Sequence, residues 1–254
     1  SYKLYDTTVA KGALMAASDG TVWVTGSTNF AAAQFDGSGN ELQRIMVASD
    51  GNPGWGSGQA IRTLSNGDVL IAGVLKRPVD FGGGMLGAAA DTFSSGFLAR
   101  FTPSGQYVTS QIFGQNTGVD GMGLAVGADG GIVLSGNLNG AKSIFGCSST
   151  AQMAPGFVAK LDEALQVQWA TLIPAGVSSP EIDPQGNIFI ATKTPANVYL
   201  GAVRPIRQLW HGLVDASGCS GWLPHCASTQ RLHLRERKLP PKRILRRSAI
   251  DDTR

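Results

Sequence analysis

The residues best suited to chemistry are few and unevenly placed. All three histidines, His211, His225 and His233, and two of the three cysteines, Cys219 and Cys226, follow residue 203. A base or metal centre built on imidazole would have to come from that last stretch. Cys219 and Cys226 stand in a Cys-x6-Cys spacing with His225 directly beside Cys226 and His211 further upstream. Structural zinc sites use short paired spacings, and adjacent residues rarely both ligate, so no metal centre is expected. No Gly-x-Ser-x-Gly elbow occurs and no catalytic triad is expected. Cys147 reads as a small packed residue in a loop rather than a reactive thiol, and an odd cysteine count gives no disulfide framework.

Carboxylates are the remaining candidates, since a pair of them could do glycosidase-like acid and base work. Asp19, Asp129, Asp162 and Asp183, however, sit beside glycines or turn formers at corresponding places in the chain, which points to turn closure. Asp36-Gly37-Ser38-Gly39-Asn40-Glu41 has the oxygen content of a calcium loop but lacks its ligand spacing and distal bidentate Glu. Gly82-Gly83-Gly84-Met85-Leu86-Gly87 fits the Gly-x-Gly-x-x-Gly pattern that lets a pyrophosphate approach a helix N-terminus. No helical periodicity follows it, and no acid for a ribose lies between Phe101 and Val119. A turn is expected there, with no nucleotide and no cofactor.

The elements that would carry these residues repeat. Gly20-Thr21-Val22-Trp23-Val24-Thr25-Gly26 returns as Gly67-Asp68-Val69-Leu70-Ile71-Ala72-Gly73, as Gly130-Gly131-Ile132-Val133-Leu134-Ser135-Gly136, and as Gly186-Asn187-Ile188-Phe189-Ile190-Ala191-Thr192. Three consecutive apolar residues between turn formers predict a short strand buried on both faces. A second apolar stretch precedes the first three copies across an Asp-Gly or Asn-Gly pair, which predicts an antiparallel hairpin with a tight primed turn. A third follows, clearest in Gly96-Phe97-Leu98-Ala99-Arg100-Phe101 and Gly156-Phe157-Val158-Ala159-Lys160-Leu161, and weaker from Phe30 to Phe35. A turn then leads to a fourth, as in Tyr107-Val108-Thr109-Ser110-Gln111-Ile112-Phe113 and Val167-Gln168-Trp169-Ala170-Thr171-Leu172-Ile173.

Four short antiparallel strands per unit of about 47 to 63 residues, with no helical pattern between them, are the mark of a β-propeller blade. The expected fold is all-β: a partial propeller of about three and a half four-stranded blades, with an irregular basic C-terminal tail. The units lie near residues 6–47, 48–113, 114–173 and an incomplete 174–203. Tyr2-Lys3-Leu4-Tyr5 reads as the last strand of a preceding blade or as the strand that closes a four-bladed ring. The Gly-apolar-apolar-apolar strand, the Gly-Phe-x-Ala-Lys/Arg-Phe/Leu strand and the Val79-Asp80-Phe81-Gly82-Gly83-Gly84 link between them resemble the bacterial β-propeller repeats found in tandem in large secreted and cell-surface proteins. Ser143-Ile144-Phe145-Gly146 and Asn197-Val198-Tyr199-Leu200-Gly201 match the same link. The resemblance covers roughly residues 1–202. It implies an extracellular or cell-surface, non-catalytic module, and it brings no catalytic or cofactor residues.

Composition divides the chain at one point. Residues 1–203 carry 10 Lys+Arg and 14 Asp+Glu, while residues 204–254 carry 11 and 4, with only three of the 34 glycines. Register and composition fail together there, as a change of reading frame in a GC-rich gene would produce. If the tail is genuine, Arg231, Arg235, Arg237, Lys238, Lys242, Arg243, Arg246 and Arg247 form a basic arm, the one place where nucleic acid could bind. No aromatic residue interleaves after Trp222, so nucleic-acid binding is not expected. No apolar run reaches the roughly 18 residues of a membrane span, so no membrane insertion is expected, and a start at Ser1 without a leader reads as a missing true start.

Three functions remain open. The first is a propeller that binds a polysaccharide or another surface protein through loops on one face. The second is a polysaccharide hydrolase or lyase, which would gather acids at one mouth of the central channel. The third is a structural spacer in a longer protein.

Overall fold

The computed structural model describes residues 12–26, 30–49, 56–87, 93–115, 117–139, 143–148, 155–173, 175–193 and 198–203. The expectations for Tyr2–Tyr5, the tail histidines and cysteines, and the basic arm at 231–247 lie outside these residues. In chain order the strands are β1 (Leu14–Ala16), β2 (Val22–Thr25), β3 (Phe30–Phe35), β4 (Glu41–Met46), β5 (Ala48–Ser49), β6 (Gly56–Thr63) and β7 (Val69–Leu75). They continue with β8 (Val79–Asp80), β9 (Met85–Leu86), β10 (Ser95–Phe101), β11 (Tyr107–Phe113), β12 (Val119–Val126), β13 (Ile132–Leu138) and β14 (Ser143–Ile144). The last are β15 (Cys147–Ser148), β16 (Gly156–Leu161), β17 (Val167–Ile173), β18 (Gly176–Val177), β19 (Glu181–Ile182), β20 (Ile188–Lys193) and β21 (Val198–Val203). Among the described residues there is no helix.

Four antiparallel sheets follow one another as blades: β1-β2-β3-β4, β6-β7-β10-β11, β12-β13-β16-β17, and a fourth in which β18 and β19 both pair with β20 and β21 pairs with its other edge. The fold is all-β and propeller-like. The expected half blade holds three strand positions instead of two. Val198–Val203, which includes Val198–Gly201 of the stretch Asn197–Gly201 expected from sequence to be a link, pairs with β20 along its whole length and takes the third position. The reason is spacing: residues 76–94 and 139–155 separate the second and third strands of blades two and three, whereas only 194–197 intervene here.

Alternation along the second strands builds the core. Val69 and Ile71 face blade one with Trp23, Ile45, Phe97 and Phe101, while Leu70 and Ala72 face blade three with Leu124, Ile132, Leu134 and Phe157. Val133 and Val158 meet Ile188 and Ile190 of blade four. All seven residues of β7 are buried, as the uninterrupted apolar triplet predicts for a strand covered on both sides. Each such side chain contributes about 1.5–3 kcal/mol relative to exposure.

The hairpins lie where Asp-Gly and Asn-Gly pairs place them, but they are not primed two-residue turns. Ala17 N–H reaches the Thr21 carbonyl at 2.8 Å, and Gly20 N–H reaches the Ala17 carbonyl at 3.1 Å. The same pair of bonds closes the turns opening at Asp36, Leu64, Thr102, Gly127, Asp162 and Asp183. This is a β-turn followed by one left-handed residue, the three-residue hairpin with a bulge. Both turn types need a positive φ at the glycine, so residue identity alone does not separate them. The left-handed position holds Gly20, Gly39, Gly67, Gly105, Gly130 and Gly186, and in one turn Leu165 at φ 63°. Conversely, Phe145 (φ 52°) and Gly146 (φ 76°) make the two-residue turn between β14 and β15.

Leu165 combines strain with burial, being only 2% exposed in the core between blades two and three. Truncating a buried Leu costs about 2–5 kcal/mol, and a left-handed non-glycine residue stores on the order of 1 kcal/mol. Leu165→Gly is therefore expected to destabilise the fold by about 1 kcal/mol less than Leu165→Ala, the reverse of the usual order in strands. Urea unfolding of the two variants tests this, and equal or greater loss in the glycine variant would show that the turn stores no strain.

Candidate functional site

The first strands of successive blades adjoin one another around the axis, and they carry irregularities that free backbone groups. The register of β6 shifts between Gly58 and Ala60, leaving Gln59 in a bulge, and that of β12 shifts between Asp120 and Gly123. The two bulges interlock. Gln59 Nε2 donates to Asp120 Oδ1 at 3.0 Å, and Gln59 Oε1 accepts from Met122 N–H at 2.8 Å. Gly121 makes this possible at φ 62°, and a Cβ there would stand 2.7 Å from Asn137 Nδ2. Bulges often re-aim side chains at functional sites. Here they fasten neighbouring blades.

Other polar groups near the axis are used the same way. Thr25 Oγ1, fully buried, donates to the Gly58 carbonyl of blade two at 2.9 Å and accepts from Ala13 N–H at 2.6 Å. Ser135, its counterpart in blade three, donates to the Ser178 carbonyl of blade four at 2.9 Å. Asn137 exchanges two hydrogen bonds with the Val177 backbone. Arg62 of blade two reaches Glu181 of blade four at 3.7 Å.

At the turn end, carboxylates close the hairpins that contain them. Asp162 Oδ1 accepts from Ala164 and Gln166 N–H at 3.0 and 2.8 Å, and its Oδ2 accepts from Gln168 Nε2 at 2.9 Å. Asp36 and Asp183 repeat the arrangement with Ser38 and Asn40, and with Gln185 and Asn187. Asp36 therefore presents no calcium-type cage; its oxygens point into its own turn. Side chains then tie each turn to the next blade: Gln43 Nε2 donates to the Pro103 carbonyl at 2.7 Å, and Arg100 Nη1 donates to the Glu163 carbonyl at 2.6 Å. Arg100 also holds Asp68 at 2.7 Å, with both side chains largely buried.

Hydrogen bonds depress three carboxyls below their ordinary range. Asp129 is held down chiefly by the Lys160 ammonium at 3.0 Å and by Gly131 N–H, Glu41 by Arg44, and Asp19 by the Thr21 hydroxyl and backbone. A carboxyl with a lowered folded pKa adds stability that is fully present above its unfolded pKa and is lost as pH falls through the folded value. The fold is therefore expected to weaken below about pH 4 and to hold level above it. Lys160→Ala should raise the Asp129 midpoint in an NMR titration, and an unmoved midpoint would show that the ammonium is not its partner.

The crossover end is built differently. Between their second and third strands, blades two and three extend hairpins, β8–β9 and β14–β15, that cap the cores below. Phe81, 3% exposed, packs on Phe97 at 4.9 Å, and Phe145 packs on Phe113 and Phe157 at 5.3 and 5.7 Å. The Gly-x-G-x-x-Gly run lies within β8–β9 and its turn. Asp80 Oδ1 accepts from Gly82 and Gly84 N–H at 2.7 and 2.9 Å, so these donors already face a carboxylate. Beyond them Met85 and Phe93 are each 52% exposed.

Among the described residues no three His, Cys, Asp or Glu side chains converge as a metal site. Asp19, Asp36, Asp129, Asp162 and Asp183 are spread over hairpin turns of blades one, three and four, and Asp120 and Glu181, on the first strands of blades three and four, meet Gln59 and Arg62 respectively. Cys147 is buried, with its Sγ 3.7 Å from the Ala170 carbonyl. Sequence reading missed Gln59, Arg62, Asp120 and Glu181. The only signal was Gly121 and Gly123 inside a strand pattern, which marks a bulge or close backbone approach.

No family model matches the chain, and no curated protein matches it. Solved structures do. Hydrazine synthase of Kuenenia stuttgartiensis is similar over 74% of this chain and 51% of that one, at 12% identity and a TM-score of 0.50. A protein of unknown function from Bacteroides caccae is similar over 76% and 57%, at 14% identity and a TM-score of 0.47. Virginiamycin B lyase from Staphylococcus aureus is similar over 79% and 72%, at 10% identity and a TM-score of 0.38. At these identities the likeness is one of fold. The chain spans about half to two-thirds of the length of the first three such structures.

Proposed function

We propose that the chain is a non-catalytic β-propeller module of a secreted or cell-surface protein that binds a macromolecule at its crossover end. One observation carries this reading: the polar groups along the axis and at the turns are committed to holding blades and hairpins, whereas the crossover end presents exposed Met85 and Phe93 on the long excursion of blade two, beside that of blade three. Loops on a rigid scaffold are where binding residues concentrate. An exposed aromatic ring and an exposed apolar side chain each suit the C–H face of a sugar or an apolar side chain of another surface protein.

Retention on a panel of polysaccharides and surface proteins tests the proposal, with Met85→Ala and Phe93→Ala each expected to weaken binding by about tenfold. New reducing ends or unsaturated uronate products would replace the proposal with a hydrolase or a lyase. A protein that is retained by nothing on the panel would be a spacer.

A further inference from the structure

Charge is distributed unequally between the two ends of the sheets. Toward the turn end, Arg44, Arg62, Arg100 and Lys160 each hold a carboxylate, that of Glu41, Glu181, Asp68 and Asp129 respectively. Asp19, Asp36, Asp162, Glu163 and Asp183 add negative charge at the same end, and no further lysine or arginine joins them there among the described residues. The crossover end differs. Its described acids, Asp80 and Asp120, already face donors: Asp80 Oδ1 accepts from Gly82 and Gly84 N–H, and Asp120 Oδ1 accepts from Gln59 Nε2. Lys76 and Arg77, directly after β7, are both exposed at this end. An anionic polymer is thus repelled from one end and met by two cations at the other.

The two cations break the repeat. Counted from Gly73 and its counterparts Gly26 and Gly136, Lys76-Arg77 stands where blade one has Asn29-Phe30 and blade three has Asn139-Gly140. Those blades leave their second strand without a charge, so the strand itself does not require one. The cations also adjoin the exposed apolar groups. β7 and β10 pair as far as Leu75 and Ser95, so Lys76-Arg77 and Phe93-Ser94 leave that last pair on adjacent strands. β8 and β9 fold back beside them: Met85 pairs with Asp80 and Leu86 with Val79, and a Cβ added at Gly87 would stand 3.6 Å from the Arg77 carbonyl. With Met85 and Phe93 each 52% exposed, an aromatic ring, an apolar side chain and two cations share the excursion of blade two.

On the reading that the crossover end is the binding face, we infer that the macromolecule it takes is an acidic polysaccharide whose sugars carry carboxylates. A uronate offers a C–H face and a carboxylate on one ring, and the neighbouring Phe93 and Arg77 suit the two together. The Phe93 ring covers the C–H face, and the planar guanidinium of Arg77 takes the carboxylate. Lys76 neutralises a second carboxylate along the polymer as a point charge. An acidic protein segment supplies the carboxylate without the sugar face, and a neutral glycan supplies the face without the charge.

Affinity electrophoresis of the full chain in polygalacturonate, alginate and hyaluronan tests this, each beside its carboxyl-reduced form, which keeps the ring and loses the charge. Polyglutamate supplies the charge without the ring. Retardation by at least one of the three acidic polysaccharides is expected. Carboxyl reduction, Arg77→Gln and Phe93→Ala should each weaken it by about tenfold, and Lys76→Gln combined with Arg77→Gln by about 100-fold. All three side chains are exposed, so circular dichroism of the variants should be unchanged. Retardation by none of the three would overturn the inference, and so would equal retardation by the reduced polymers or by polyglutamate. Binding of a neutral polysaccharide or a surface protein that weakens in Phe93→Ala but not in Arg77→Gln would overturn the acidic ligand and leave the crossover end as the binding face. Binding of an acidic polysaccharide indifferent to all three substitutions would overturn both.

Discussion

Gly73→Ala is expected to lower the unfolding free energy by about 3 kcal/mol or more, among the largest effects of any single methyl group in the chain. Gly73 pairs directly with Phe97 across β7 and β10, and a Cβ there would stand 2.7 Å from the Phe97 ring and 2.9 Å from Gly58 Cα, with the Ser57 carbonyl closer still. The ring could turn; the backbone of β6 could not. Blade three repeats the arrangement, with Gly136 paired to Phe157 and its added Cβ 2.7 Å from that ring and 2.9 Å from Met122 Sδ. In that site the neighbours are all side chains, so Gly136→Ala should cost less than Gly73→Ala. Chemical denaturation of the two variants checks both the size and the order. A loss under about 1 kcal/mol at Gly73 would show that β6 moves away from β7 at little cost.

Arg100→Met is expected to destabilise by about 3 kcal/mol, because it strands Asp68 in a site where that side chain is 10% exposed. The same change frees the Glu163 carbonyl that Arg100 reaches across the interface to blade three. Adding Asp68→Leu should restore most of the loss, since an apolar pair of similar volume can replace a buried ion pair at little net cost. Thermal unfolding of the single and double variants decides between two accounts. Recovery assigns the loss to the uncompensated carboxylate, and persistence assigns it to the tie between blades. Lys160, the counterpart of Arg100 in blade three, contacts the more exposed Asp129, so its truncation should change stability far less.

These sites show which parts of the fold a sequence can disclose. Val69-Leu70-Ile71 announces a doubly covered strand because burial on both faces leaves no polar position in the triplet. The pairing of Gly73 with Phe97 is harder to see. The two residues are 24 apart, and either alone reads as ordinary strand text. The turns were visible at Asp19-Gly20 and Asn66-Gly67, but their bulged geometry was not, since a left-handed glycine serves either form. Val198–Val203 was misread because a link and a third strand share apolar residues beside glycine, and only the short 194–197 interval tells them apart. Around the axis least was legible. Gln59, Asp120, Arg62 and Glu181 act by meeting residues of other blades, and nothing local marks such a meeting.

The self-closing turns bear on how the molecule is made. Each of the seven bulged hairpins carries the carboxylate, hydroxyl or side-chain amide that secures it, and each of the first three blades is built from one continuous stretch of the chain. A blade can therefore form as soon as its own residues have left the ribosome, without waiting for distant segments. Thr25 then needs only Gly58, and Ser135 only Ser178, for each new blade to dock on the last. Assembly would run from the amino terminus onward, one unit at a time, and leave the fourth sheet as the late step.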